Sequence, residues 1–274
     1  MRRTLKACKA LFIIKVAAEL QYRAAAWAHS SVGIFWAALH IVMFTVFYTY
    51  GNEENAAITL SQAISYAWLA QILYSLTALS YLGIDDELRE KIVDGNVSLE
   101  LCRPLDLYAH WFTKSAANRL GGSFWRIVIT ILVALLAPAA FRLSPPASAF
   151  GFIFFLLSAA SAFLFTAAYV MLLTAIRVRL TWGDGPTTSL AFLGMLLGGS
   201  YLPLQLWPDF LQRILLFQPF AGRLDIPIRL FIGSMPPEDA LWAIGIQLTW
   251  TIIFIAVGKL LMKRNISQLI VQGG

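Results

Sequence analysis

Six long stretches of this chain carry no Asp, Glu, Lys or Arg: residues 24–52, 55–84, 127–141, 143–176, 185–208 and 240–258. A charged side chain at the centre of a membrane-inserted helix costs about 2.5–3.5 kcal/mol, so gaps of this length mark candidate spans. Crossing a bilayer takes roughly 20 apolar residues at 1.5 Å rise each. Five gaps meet that need. The third is short and draws on its flanks, with Arg126 snorkelling from its end. The expected spans are 30–51, 59–83, 122–142, 148–176, 186–206 and 239–261. Composition agrees. Of 274 residues 59% are hydrophobic and 13% charged, and mean hydropathy is +0.70, too little polar surface to cover a soluble core. The expected fold is an all-α polytopic membrane protein, a single transmembrane domain over 1–274.

Lys and Arg set the orientation. With the N-terminus inside, the inner segments hold 17 of the 21, and the outer side holds Arg142, Arg213, Arg223 and Arg229. The positive-inside rule then puts both termini in the cytoplasm of a cell (inner or plasma) membrane. The net charge of +6 is read as topology, because no basic run is interleaved with a nucleic-acid recognition motif. Cys8 and Cys102 stand apart and match neither a disulfide framework nor a zinc spacing.

Residues 1–28 begin like a signal peptide, basic then apolar, but Lys15 and Glu19 interrupt the apolar run. The better reading is an amphipathic helix on the inner membrane surface. Leu5, Cys8, Phe12, Val16 and Leu20 form one side, while Lys6, Lys9, Lys15, Glu19 and Arg23 are polar.

The chain carries no G-x-x-x-x-G-K-[ST] phosphate loop. Its charge-free spans hold only His40 as a titratable candidate, beside Gln71 and Gln247. With no evident carboxylate partner, His40 reads as a packing residue rather than a proton relay. There is no H-E-x-x-H for a metal, and "GGSYLP" around Ser200 is not a G-x-S-x-G elbow. Asp85 and Asp86 read as a solvated face.

Between the second and third expected spans lies an inner loop, 84–121. Its segment "DDELREKIVDGNVSLELCRPLD" holds ten charged residues. Two short helices flank a turn at Asp94-Gly95-Asn96, and Pro104 disfavours helical geometry just before it. Ile92, Val93, Leu99 and Leu101 give the pieces an apolar side that can rest on a bundle. The segment reads either as a docking surface or as an ordinary loop held by caps and surface pairs.

The stretch "IVDGNVSLELCRPLDLYAHW" resembles the first inner loop of type-2 ATP-binding-cassette (ABC) exporter permeases, in the six-span branch that includes predicted viologen and drug exporters. Ile92, Gly95, Val97, Leu101, Arg103, Pro104 and Leu105 carry the match. The order of a basic surface helix, six spans and a long first inner loop is similar to that family along the whole chain. The resemblance implies a cytoplasmic coupling helix that docks a separate ATPase. The residues expected to dock are Arg89, Lys91, Asp94, Gly95, Glu100, Arg103 and Pro104. It also implies two ATPase subunits, with ATP and Mg bound there and no cofactor in this chain, together with a second permease, identical or sister. A catalytic site, a metal and a nucleic-acid partner are not expected.

Six prolines fall between 203 and 237, and the apolar pieces among them are too short to cross. Residues 207–237 are expected to form short re-entrant or interfacial helices on the outer side, as the resembled family has before its last span. Leu202, Leu206, Trp207 and Phe210 are the expected apolar gate, with Trp207 equally readable as an interfacial anchor. Gly194 and Gly198 make a GxxxG that packs within the subunit or across a two-fold contact. Phe35, Phe44, Tyr66, Gln71, Tyr74 and Tyr201 are the expected pathway residues. They suit an amphipathic or cationic, hydrophobic cargo, and each is also readable as core or lipid-facing. The expected function is the permease subunit of an ATP-driven exporter. The rival is an ATP-independent secondary transporter or a membrane assembly protein.

Overall fold

The computed structural model describes residues 2–51, 57–79, 87, 90–91, 94, 96–101, 106–178 and 185–266, and every regular element among them is helical. Among the described residues, four helices are long and apolar enough to cross a membrane. They are α2 (Arg23–Tyr50), α5 (Leu107–Leu136), α6 (Ala149–Arg177) and α10 (Pro237–Ile266). The first helix, α1 (Arg2–Glu19), packs on α5, and α3 (Leu60–Thr77) lies against α2 and α5.

α3 is the interior helix. Thr59 caps it: its hydroxyl accepts from the Gln62 N–H while the Gln62 side chain accepts from the Thr59 N–H at 2.8 Å, a reciprocal box. Ile64, Tyr66, Trp68, Leu69, Ile72 and Leu73 are all buried, so the helix is enclosed on most sides. α2 is the reverse. Its inward line is Ala26, Ser30, Ala37, Ile41, Phe44 and Tyr48, while Phe35, Val42, Val46 and Phe47 point outward. Bulky apolar groups outside suit a lipid-facing helix, and the small residues Ala26, Ser30 and Ala37 on the inward line let neighbouring backbones approach closely.

α6 and α10 lie side by side over much of their length. α6 starts at Ser148, whose hydroxyl accepts from the Gly151 N–H at 2.9 Å, and buries Ser158, Ser161, Ala162, Ala167, Ala168 and Ala175. α5 starts at Asp106, whose carboxylate accepts from the Ala109 N–H. It therefore begins well before 122, and residues 107–121 belong to the same helix as the apolar stretch that follows. Gly121 makes the seat for α1: a Cβ there would come within 2.7 Å of Glu19 Cβ and 3.0 Å of the Val16 carbonyl. The Trp125 indole closes the joint by donating to the Leu20 carbonyl at 3.0 Å.

The chain between α6 and α10 is broken into short pieces. α7 (Gly185–Leu197) has 13 residues, about 20 Å at 1.5 Å rise, shorter than the 186–206 expected as one span. It ends in a turn through Gly199, whose φ of 78° lies in the left-handed region that glycine tolerates. Then come a 3-10 turn at Leu204–Leu206, α8 (Asp209–Phe217), a 3-10 turn at Ala221–Arg223 and α9 (Asp225–Ile232). α8 shows Phe210, Ile214 and Phe217 on its exposed side and buries Leu215. α9 is enclosed: Asp225, Ile226, Ile228 and Leu230 all have 2% exposure or less.

Candidate functional site

Two places gather polar groups. The first is a cleft between α2, α3 and the turn after α7. Trp36 and His40 come from α2, Gln71 and Tyr74 from α3, and Met195, Ser200 and Tyr201 from α7 and its turn, around about 190 Å³. A narrow extension reaches Phe44, Tyr66, Ala70 and Gly199. Of the expected pathway residues, Phe44, Tyr66, Gln71, Tyr74 and Tyr201 are thus brought together. Phe35 is not: it is 60% exposed on the outer face of α2. His40 Nδ1 donates to the Trp36 carbonyl at 2.8 Å, which turns Nε2 away from its own helix.

Behind the cleft lies what sequence reasoning missed. Arg223 and Asp225, both placed on an outer segment by their neighbours in sequence, are completely buried. Arg223 donates to the Thr77 carbonyl at 3.0 Å and to Ser200 Oγ. Asp225 accepts from the Tyr66 hydroxyl at 3.1 Å and the Leu204 N–H at 3.0 Å, and Arg229 stands 3.7 Å from its other oxygen. Gln247 braces the same turn, donating to the Gly222 carbonyl at 2.6 Å and to Ser158 Oγ at 2.9 Å. The only sequence signal was Arg223-x-Asp225 in a Pro-bounded apolar segment, and a charge count alone assigns such a pair to water.

The two glycines of GxxxG face this chain's own residues. A Cβ at Gly194 would lie 2.9 Å from Leu79 Cδ1 and 3.1 Å from Phe220. At Gly198 it would lie 2.9 Å from Arg223 Nε and Nη2. The missing side chain makes the space that the guanidinium fills. Of the expected gate residues, Leu202, Leu206 and Trp207 pack half-buried on the main core, while Phe210 points outward.

The second place is the inner loop, where α4 (Val97–Leu101) sits on the ends of α5, α6 and α10. Val97 is buried among Tyr108, Trp111, Met171 and Met262. Glu100, one turn on, is also buried: Lys91 donates to it at 2.7 Å and His110 stands 3.5 Å away. Glu87 pairs with Lys91 at 3.3 Å and with Lys114, and both lysines lie over the Trp111 ring. Burial works against charge at Glu87, but Lys114 and then Lys91 outweigh it and hold the carboxyl below its usual range. Burial likewise opposes the Lys91 charge, and Glu100 with Glu87 overcomes it, raising that pKa.

Glu100 and Lys91, expected to dock a partner, are therefore engaged inside the chain. Asp94, Asn96 and Leu99 face outward, Leu99 with 67% exposure. Arg89, Gly95, Arg103 and Pro104 lie outside the described residues.

Four helices long and apolar enough to cross a membrane, with bulky apolar groups turned outward, are the features of an integral membrane protein. The chain belongs to the ABC-2 family of transporter proteins, whose family model matches residues 34–273. Membership makes it a membrane permease subunit and implies ABC ATPase subunits as partners. Comparison with curated proteins and with solved structures gave no match.

Proposed function

We propose that this chain is the permease subunit of an ATP-driven exporter, moving an amphipathic or hydrophobic cargo outward by alternating access. In this reading the chain has six spans, with α3 and α7 joining the four long helices, and both termini lie in the cytoplasm of the inner or plasma membrane. Two such permeases, identical or sister chains, work with two ATPases that bind ATP and Mg. The inner loop between α3 and α5 is the coupling element, and the cleft is this subunit's part of the pathway.

One observation carries the reading: α4 is pinned at Val97 and Glu100 while Leu99 projects. A short helix locked on one side and apolar on the other is built to transmit force, since a loop that merely solvates charge needs neither feature. The contact surface is then Asp94, Asn96 and Leu99, with Arg89, Gly95, Arg103 and Pro104 expected beside them, and Lys91 and Glu100 hold it in shape. The test is ATPase activity of the purified permease–ATPase assembly with Asp94→Ala or Leu99→Arg. The expected result is normal insertion with lost stimulation of ATP hydrolysis. Full stimulation in both variants would remove the loop from the coupling role.

A second reading, an ATP-independent carrier, draws support from buried Arg223 and Asp225, because ionisable residues inside a membrane often mark ion-coupled pathways. Transport in vesicles driven by a proton gradient without ATP would favour it.

A further inference from the structure

We propose that the cleft beside α2 and α3 is an anion site, taking the negatively charged headgroup of an amphiphile whose apolar tail lies along the outer face of α2. This rests on the permease reading and names the class of cargo, replacing the cationic option that aromatic content alone left open.

The argument starts from charge. Arg223 has no exposed surface, and among the described residues no carboxylate lies within ion-pair distance of it. Its Nε has no acceptor. Asp225, the nearest carboxylate in sequence, is turned to Tyr66, Leu204 and Arg229. Two guanidinium groups and one carboxylate leave one positive charge behind the cleft. A buried ion without a counter-ion is costly, and the cost is relieved when a ligand brings the opposite charge.

Ser200 connects that charge to the cleft. Its oxygen accepts from Arg223, and its hydroxyl proton has no acceptor among the described residues, while the residue itself lines the opening. A hydroxyl that accepts from a cation becomes a stronger donor. Tyr74, Tyr201 and Gln71 line the same opening, and among the described residues the two hydroxyls and the Gln71 side-chain amide make no hydrogen bond. Four unused donors with a cation behind them match an oxyanion and repel an ammonium group. Trp36 and Met195 make the rim apolar, which suits the first carbons of a tail.

The test uses the full chain in phosphatidylcholine nanodiscs and three fluorescent probes of equal length: dansyl-undecanoate, its methyl ester and a trimethylammonium analogue. The carboxylate should bind about tenfold or more tightly than the other two, the scale of one or two charge-assisted hydrogen bonds. Ser200→Ala and Tyr201→Phe should each weaken the carboxylate severalfold and leave the ester unchanged. Arg223→Gln should abolish the preference, and if that variant does not fold, Ser200→Ala carries the test alone. Equal binding of all three probes, or a Ser200→Ala effect shared by acid and ester, overturns the proposal. Adding phosphatidylglycerol separates the sources of such an anion. Displacement of the probe identifies a membrane lipid as occupant and persistence a separate amphiphile, and the anion site stands in both cases. Binding needs no ATPase. Lost acid preference with intact ATPase coupling sinks the anion site alone, and retained preference with no coupling sinks the permease reading alone.

Discussion

Lys91 Nζ lies 2.7 Å from Glu100 Oε1, so a residue before the turn at Asp94–Asn96 is tied to one behind it. The bond ties the last turn of α4 to the segment before the turn. Glu100→Ala removes the acceptor and leaves Lys91 with Glu87 as its acidic partner among the described residues. It should cost on the order of 1–3 kcal/mol, as for other hydrogen bonds to charged groups. Melting of the detergent-purified chain measures the loss, and ATPase stimulation should fall with it.

Leu99→Arg separates contact from stability. A side chain this exposed, with no packing partner among the described residues, should change stability by no more than about 0.5 kcal/mol. A Tm equal to that of the parent, with ATPase stimulation lost, is the expected pair of results. A large drop in Tm would mean that Leu99 packs on this chain instead.

Glu87 gives the inner loop a pH dependence with a definite sign. Its carboxyl is held low in the folded chain, so its contribution is complete above the ordinary carboxylate range and is lost as pH falls through the folded value. Lys91 works at the other end. Its raised pKa contributes fully below the ordinary lysine value and is lost as pH rises through the folded value. The Tm gap between the parent and Glu87→Gln should be present at neutral pH and close in acid, once pH has fallen below the lowered folded value. A gap that persists there would contradict the pairing.

Gly198→Ala puts a Cβ 2.9 Å from the Arg223 guanidinium and from the Gly194 carbonyl. Overpacking of this kind costs about 1–3 kcal/mol. Gly245→Ala is the control, since nothing lies within 4 Å of its would-be Cβ. Thermal melting should show Gly198→Ala clearly destabilised and Gly245→Ala at or above the parent.

Thr59→Ala removes the reciprocal cap of α3. A lost N-cap costs about 0.5–2 kcal/mol, and the same melt reads it. Thr59→Ser should retain most of the stability, because its hydroxyl can accept from the same Gln62 N–H.

Charge-free length located the long helices, because every charge in such a helix is penalised wherever the helix packs. It failed where charge is buried inside protein. Arg223 and Asp225 sit on a short segment that charge counting sends to the surface, and only the closing of α9 against α3 and α6 shows them enclosed. Helix ends were hidden for a related reason. Lys114 and Arg119 interrupt the apolar pattern of α5, yet one pairs with Glu87 and the other donates to the Ala78 carbonyl, so the helix runs through them. Glu100 looked like a surface charge because the residues that meet it, Lys91 and His110, stand nine and ten positions away. Of the cleft residues, the aromatic ones were visible as a group, whereas Ser200 acquires meaning only from the guanidinium behind it.

α5 holds both the loop before it and α1. His110, Trp111 and Lys114 hold the loop, and Gly121 and Trp125, two to four turns further along, clasp α1. At 30 residues the helix is about 45 Å long, longer than the hydrocarbon core it can cross. The loop and α1 are thus fastened to one unbroken rod, so a displacement at either fastening is carried to the other.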